Sequence, residues 1–128
     1  EPRIVAVLDW ELSTLGDGLA DLGYICQDYH GDKENEESLA GADLEALGIP
    51  AESELLAEYC GQAGLDDIEN WPFYLIYNMF RSSGISQGVY KRGLDGNASS
   101  ATALEFADAA RLRSTRGWQM VLDTQPNP

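Results

Sequence analysis

The chain opens on a short apolar run, Arg3-Ile4-Val5-Ala6-Val7-Leu8, which charge ends abruptly at Asp9-Trp10-Glu11. A run rich in β-branched residues and bounded in this way predicts a buried strand over residues 3–8. Residues 12–18 read as a loop in which Gly16 and Gly18 permit tight turns. From residue 19 the period lengthens. Leu19, Leu22, Cys26 and Tyr29 share one face of a helix over 19–29, with Asp17 or a neighbour able to cap its first turn. Residues 30–41 are polar and acidic and read as an exposed loop. Residues 42–47 supply about one helical turn, and Gly48-Ile49-Pro50 stops it. A helix over 51–63 turns Leu55, Leu56, Tyr59 and Cys60 inward, with Gly64 just past its end.

Asn70 is a suitable N-cap for a long helix over 71–92, and Pro72 is tolerated in its first turn. Phe73, Ile76, Tyr77 and Phe80 form the apolar stripe expected to face the core. Ser83, Gly84 and Gly88 are small enough for another backbone to approach. Residues 93–97 break this helix, and an alanine-rich helix over 98–122 closes the pattern. The expected fold is therefore mainly α, with one principal β-strand near the N-terminus. A lone strand leaves backbone groups unpaired on both sides. It needs a partner strand outside this chain, a second copy or a short local segment, so self-association through the exposed strand edge is expected.

Composition narrows the class. The 128 residues suit a single domain over 1–128, and 44% hydrophobic with 23% charged is ordinary for a globular protein. The net charge is −14; residues 1–69 hold 18 acids against 2 bases, and residues 70–128 hold 4 against 6. Such a surface repels phosphate backbones, which argues against nucleic-acid binding. No apolar run reaches membrane-span length and no signal peptide is visible, so a cytoplasmic protein without membrane attachment is expected. Cys26, Cys60 and one histidine do not make a zinc set, and free thiols are the default.

The chemistry-bearing stretch is Val7-Leu8-Asp9-Trp10-Glu11-Leu12-Ser13-Thr14-Leu15-Gly16-Asp17-Gly18-Leu19-Ala20-Asp21-Leu22. Residues two apart on an extended chain point the same way, so Asp9 and Glu11 can reach one point. Magnesium takes oxygen ligands, often one or two carboxylates completed by water and nucleotide phosphates. Acids at a strand end also simply meet water.

This stretch resembles the metal-binding segment of the aminoglycoside phosphotransferase family, in the branch found alone or fused to acyl-CoA dehydrogenases. Those proteins show an apolar strand, Asp-Trp-Glu, a Gly-Asp-Pro turn and Ala-Asp-Leu; here Gly18 stands in place of the proline. Residues 85–92, Ile-Ser-Gln-Gly-Val-Tyr-Lys-Arg, and 96–100, Gly-Asn-Ala-Ser-Ser, are similar to the same branch. The resemblance implies the helical C-terminal lobe of a protein-kinase-like fold, with the N-terminal nucleotide lobe and the catalytic loop lying upstream. It implies a parent that uses Mg2+ and ATP, or another nucleoside triphosphate, to phosphorylate a hydroxyl of a small molecule. This chain alone is then expected to be inactive and to hold neither cofactor. Asp9 matches the family's magnesium aspartate, and Glu11 a second or water-mediated metal ligand. Asp17 and Asp21 match residues that brace the active site; the residues by themselves read as helix capping and favourable N-terminal charge.

Trp71, Tyr74, Tyr77 and Arg81 are the positions assigned to substrate, because the family's acceptor site lies among these helices. Aromatic residues at helical spacing are more often core. Arg111, Arg113 and Arg116 cluster late in the chain and suit an anion, although such arginines more often pair with local acids. His30-Gly31-Asp32 imitates the family's catalytic loop. Glu37 occupies the position where asparagine is required, and the order relative to Asp9 is reversed, so His30 is expected to be an idle surface histidine. The competing reading is a non-catalytic helical binding module or a degenerate kinase relative.

Overall fold

Asp17 starts the first helix as the pattern requires: its carboxylate accepts from the Leu19 backbone N–H at 3.0 Å, the side-chain cap of α1 (Gly18–Cys26). The structure, a computed structural model, describes residues 3–8, 13–32 and 38–125. A 3-10 turn, Gln27–His30, extends α1. Three helices follow: α2 (Leu44–Leu47), α3 (Glu52–Ala63) and the long α4 (Trp71–Leu94). A 3-10 turn at Ala103–Glu105 leads into α5 (Phe106–Thr124). The fold is mainly helical. Gly48 and Gly64 end α2 and α3 in the left-handed region, at φ 66° and 69°, as expected of glycine at a helix end.

No strand forms among the described residues. Residues 3–8 carry no ladder, and Ile4 (89%) and Leu8 (80%) lie open to solvent. This corrects the expectation of a buried strand. Strand backbone is stable only when its N–H and C=O groups find a partner strand, and the described residues hold none.

The second correction concerns α4. The predicted stripe is largely outside: Phe73 is 61% exposed, Phe80 77% and Tyr77 44%, with Ile76 half-buried. The buried face is instead Leu75, Asn78, Met79, Ser82 and Ser86. α4 packs on α5 along one side and on α1 along another. Small and polar residues let these helices approach closely. The Asn78 amide donates to the carbonyls of Ala20 (2.8 Å) and Tyr74 (2.9 Å), joining α1 to α4. Gly23 makes that contact possible, since a Cβ there would sit 2.8 Å from Asn78 Nδ2 and 3.0 Å from the Tyr74 carbonyl oxygen. Ser82 donates to Gln27 Oε1 (2.7 Å), and Ser83 to the Ala110 carbonyl (2.9 Å). Leu22, Cys26, Ile68, Leu75, Met79 and Met120 form the apolar core, against which Leu55, Leu56, Tyr59 and Cys60 of α3 pack as predicted. Cys26 and Cys60 are free thiols, and burial pushes Cys26 up to about 11.

Smaller departures have local causes. Asn70 precedes α4 in the left-handed region (φ 56°) and caps with its backbone carbonyl, which accepts from the Phe73 N–H, rather than with its side chain. α5 begins at Phe106, later than the alanine content at 98–103 suggested; the 3-10 turn at Ala103–Glu105 comes first, with Ala103 close against Gly93. Residues 38–41 are not uniformly exposed: Leu39 N–H and the Ser38 hydroxyl both donate to the Asp28 carbonyl, which ties the returning chain to the first 3-10 turn.

The packing yields two expected outcomes. Gly23→Ala lowers stability by about 1–3 kcal/mol through overpacking. Gly84→Ala, at an exposed helical position with nothing within 4 Å, raises it by about 0.5–1 kcal/mol. Urea unfolding of the two variants checks the pair, and stabilisation by both would refute the close approach at Gly23. Ser82→Ala removes the donor to buried Gln27 and costs about 1–3 kcal/mol in the same assay.

Candidate functional site

Asp9 and Glu11, the predicted metal ligands, lie outside the described residues. The chain leaving them is anchored at Asp17. One oxygen of that carboxylate caps α1, and the other accepts from the Tyr74 hydroxyl at 2.8 Å. That hydrogen bond to an anion raises the Tyr74 phenol above its usual range, with desolvation second. Gly18 faces Tyr59: a Cβ there would sit 2.8 Å from the Tyr59 hydroxyl. Asp21 is exposed in the first turn of α1, where its charge suits the helix dipole. Among the described residues no three His, Cys, Asp or Glu side chains gather as a metal site. The donor chemistry of Asp9 and Glu11 suits a hard cation such as magnesium.

The four residues assigned to substrate line neither of the two clefts described below. Trp71, half-buried, donates its indole N–H to Glu52 Oε1 at 3.0 Å. Tyr74 is committed to Asp17. Tyr77 stacks with Phe73, ring centroids 6.4 Å apart, and the Arg81 guanidinium lies over the Tyr24 ring at 5.0 Å.

Glu52 had no place in the sequence reading, yet it joins three elements. Its second oxygen lies 2.8 Å from His30 Nε2, while the first receives Trp71. The first turn of α3 thus holds the end of the 3-10 turn and the start of α4. His30 is therefore not the exposed histidine that was expected; it is half-buried and paired. The only sequence signal was the Glu52/Glu54 pair after Pro50, which reads as ordinary first-turn acidity in a helix.

A cleft of about 720 Å³ opens between residues 27–32 and 38–41 on one side and α5 on the other. Its walls carry His30-Gly31-Asp32 on one side and Arg111, Arg113 and Arg116 on the other. Arg113 Nη1 donates to the buried Ser86 hydroxyl at 2.8 Å, and Arg116 Nε to the His30 carbonyl at 2.9 Å. A smaller apolar groove, about 180 Å³, lies between Ile76 and Phe80 of α4 and Trp118 and Val121 of α5. No helix among the described residues is long and apolar enough to cross a membrane.

The chain matches no family model and no solved structure. It is 42% identical over 118 residues to mouse acyl-CoA dehydrogenase family member 10, covering 91% of this chain and 11% of that protein. To human acyl-CoA dehydrogenase family member 11 it is 40% identical over 121 residues, 94% of this chain and 16% of the relative. A probable acyl-CoA dehydrogenase of Arabidopsis thaliana is 38% identical over 104 residues, 77% of this chain and 13% of the relative. The homologues of this chain are thus acyl-CoA dehydrogenase family members, and it spans less than a fifth of the length of each of these three.

Proposed function

We propose that this chain is the magnesium-carboxylate segment and helical lobe of a phosphotransferase domain in a longer protein. That domain transfers the γ-phosphoryl group of ATP, or another nucleoside triphosphate, to a hydroxyl of a small molecule. The observation that supports the reading most is the order of carboxylates, Asp9 and Glu11 followed by Asp17, with Asp17 held by the Leu19 N–H and the Tyr74 hydroxyl. A chain fixed at that point restrains the residues just before it. The family resemblance of residues 7–22 gives the carboxylates their roles. The similarity to segments of acyl-CoA dehydrogenase family members agrees with the branch in which the motif was placed.

In that reading Asp9 anchors the metal, which when bound offsets the charge that shifts between phosphates during transfer. Glu11 holds it directly or through water. The Tyr74–Asp17 bond positions the turn between the carboxylates and α1. Residues 3–8, apolar and exposed among the described residues, await a strand from elsewhere in the protein or from a second copy.

A second reading, a helical interaction module without catalysis, draws on the exposed Phe73, Phe80 and Trp118. The two separate on one experiment. In the complete enzyme Asp9→Asn keeps shape and removes charge, so folding survives and turnover falls by about two orders of magnitude or more. Glu11→Gln costs less, because water replaces a second ligand. A folded Asp9→Asn protein turning over ATP at near the parental rate, or a complete protein with no magnesium-dependent turnover at all, would contradict the phosphotransferase reading. The 128-residue chain by itself is expected to turn over no nucleotide.

A further inference from the structure

The cleft that residues 27–32 and 38–41 form with α5 is assembled from chain segments far apart in sequence, and its basic wall is unusual for this protein. The chain has only 8 Lys and Arg against 22 acids, yet Arg111, Arg113 and Arg116 all line one cleft. Two of them are held by neutral acceptors. Arg113 donates to the Ser86 hydroxyl, itself 2% exposed, and Arg116 to the His30 carbonyl. The ion pairs of the described residues include neither of them, and Arg111 reaches Asp108 only at 3.5 Å across an exposed surface. A neutral acceptor orients a guanidinium without cancelling its charge. Each guanidinium carries five N–H donors in a rigid fork, and the bond to the neutral acceptor engages one of them in Arg113 and one in Arg116. Asp28 and Asp32 stand on the facing wall, so the attraction is concentrated along α5. A volume of about 720 Å³ lies within the range of small-molecule sites.

We propose that this cleft binds the phosphate group of a phosphorylated small molecule, with Arg113 and Arg116 as its two fixed forks and Arg111 at the rim. Fork-shaped donors suit tetrahedral oxyanions, and charge-assisted bonds of this kind are the strong ones. The inference stands on the cleft alone and does not rest on the phosphotransferase reading.

The test is titration of the 128-residue chain with inorganic phosphate, pyrophosphate and glycerol phosphate, followed by 15N NMR at constant ionic strength. The expected result is saturating shifts at the Gly31 amide and the Arg113 and Arg116 Nε–H signals, with glycerol phosphate binding at least as tightly as inorganic phosphate. Arg116→Gln weakens binding about tenfold or more. Arg92→Gln, away from the cleft, leaves it unchanged. Arg113→Gln also removes the bond to Ser86; should it fail to fold, the wild-type shift map and Arg116→Gln decide the matter. Absence of saturating shifts, shifts scattered outside the cleft, retention of affinity in Arg116→Gln, or exclusion of the ester while the free anion binds would each overturn the proposal.

Discussion

Everything in this fold depends on how closely α4 can approach α1 and α5, and that distance is set by a face of small and polar residues. At Gly23 the two backbones come near enough that Asn78 bridges them with two hydrogen bonds. At Gly117 a Cβ would sit 3.0 Å from the Met79 Cβ, so α5 is equally close. Close packing of this kind places amides and hydroxyls in a dry interior, where each needs a partner. Ser82 with Gln27, Ser83 with Ala110 and Ser86 with Arg113 meet that need. Asn78 Oδ1 is the one buried side-chain oxygen among the described residues left without a partner. An aromatic face in the same position would hold the helices apart and break these bonds.

The same constraint explains what could be read from the sequence. α1 and α3 were legible because in each an apolar stripe agreed with one terminal signal: Leu22 and Cys26 with the Asp17 cap, Leu55 and Cys60 with the terminal Gly64. α4 was legible as a helix but not in its orientation. Periodicity favours the largest apolar residues as the buried set, and Phe73, Tyr77 and Phe80 outweigh Asn78, Ser82 and Ser86 on any hydropathy scale. Which face is buried depends on the partner's shape, and neither Gly23 nor Gly117 announces itself as a docking point. Residues 3–8 form no strand among the described residues for a related reason, since strand formation requires a partner that local pattern does not contain.

The candidate site divides in the same way. Asp17 was recognisable as a cap, and its capture of Tyr74, 57 residues away, was not. Glu52 was invisible because an acid in a first helical turn is ordinary; its two oxygens instead tie His30 and Trp71 to α3. The arginines of α5 gained meaning only when the fold set them opposite His30-Gly31-Asp32. In each case the determining contact is long-range, and no local spacing encodes it. The outward aromatic face of α4 and the apolar residues 4–8 lie exposed to solvent.

α4 buries the face that carries Asn78, Met79, Ser82 and Ser86 and shows its aromatic one. Hydroxyl-radical footprinting of the 128-residue chain, resolved by residue in a mass spectrometer, tests it directly. Methionine is intrinsically the more readily oxidised side chain, so the contrast works against the expected result. The account predicts strong labelling of Phe73 and Phe80, with Met79 protected until the chain unfolds. Rapid oxidation of Met79 in the folded chain, with Phe73 and Phe80 protected, would contradict it.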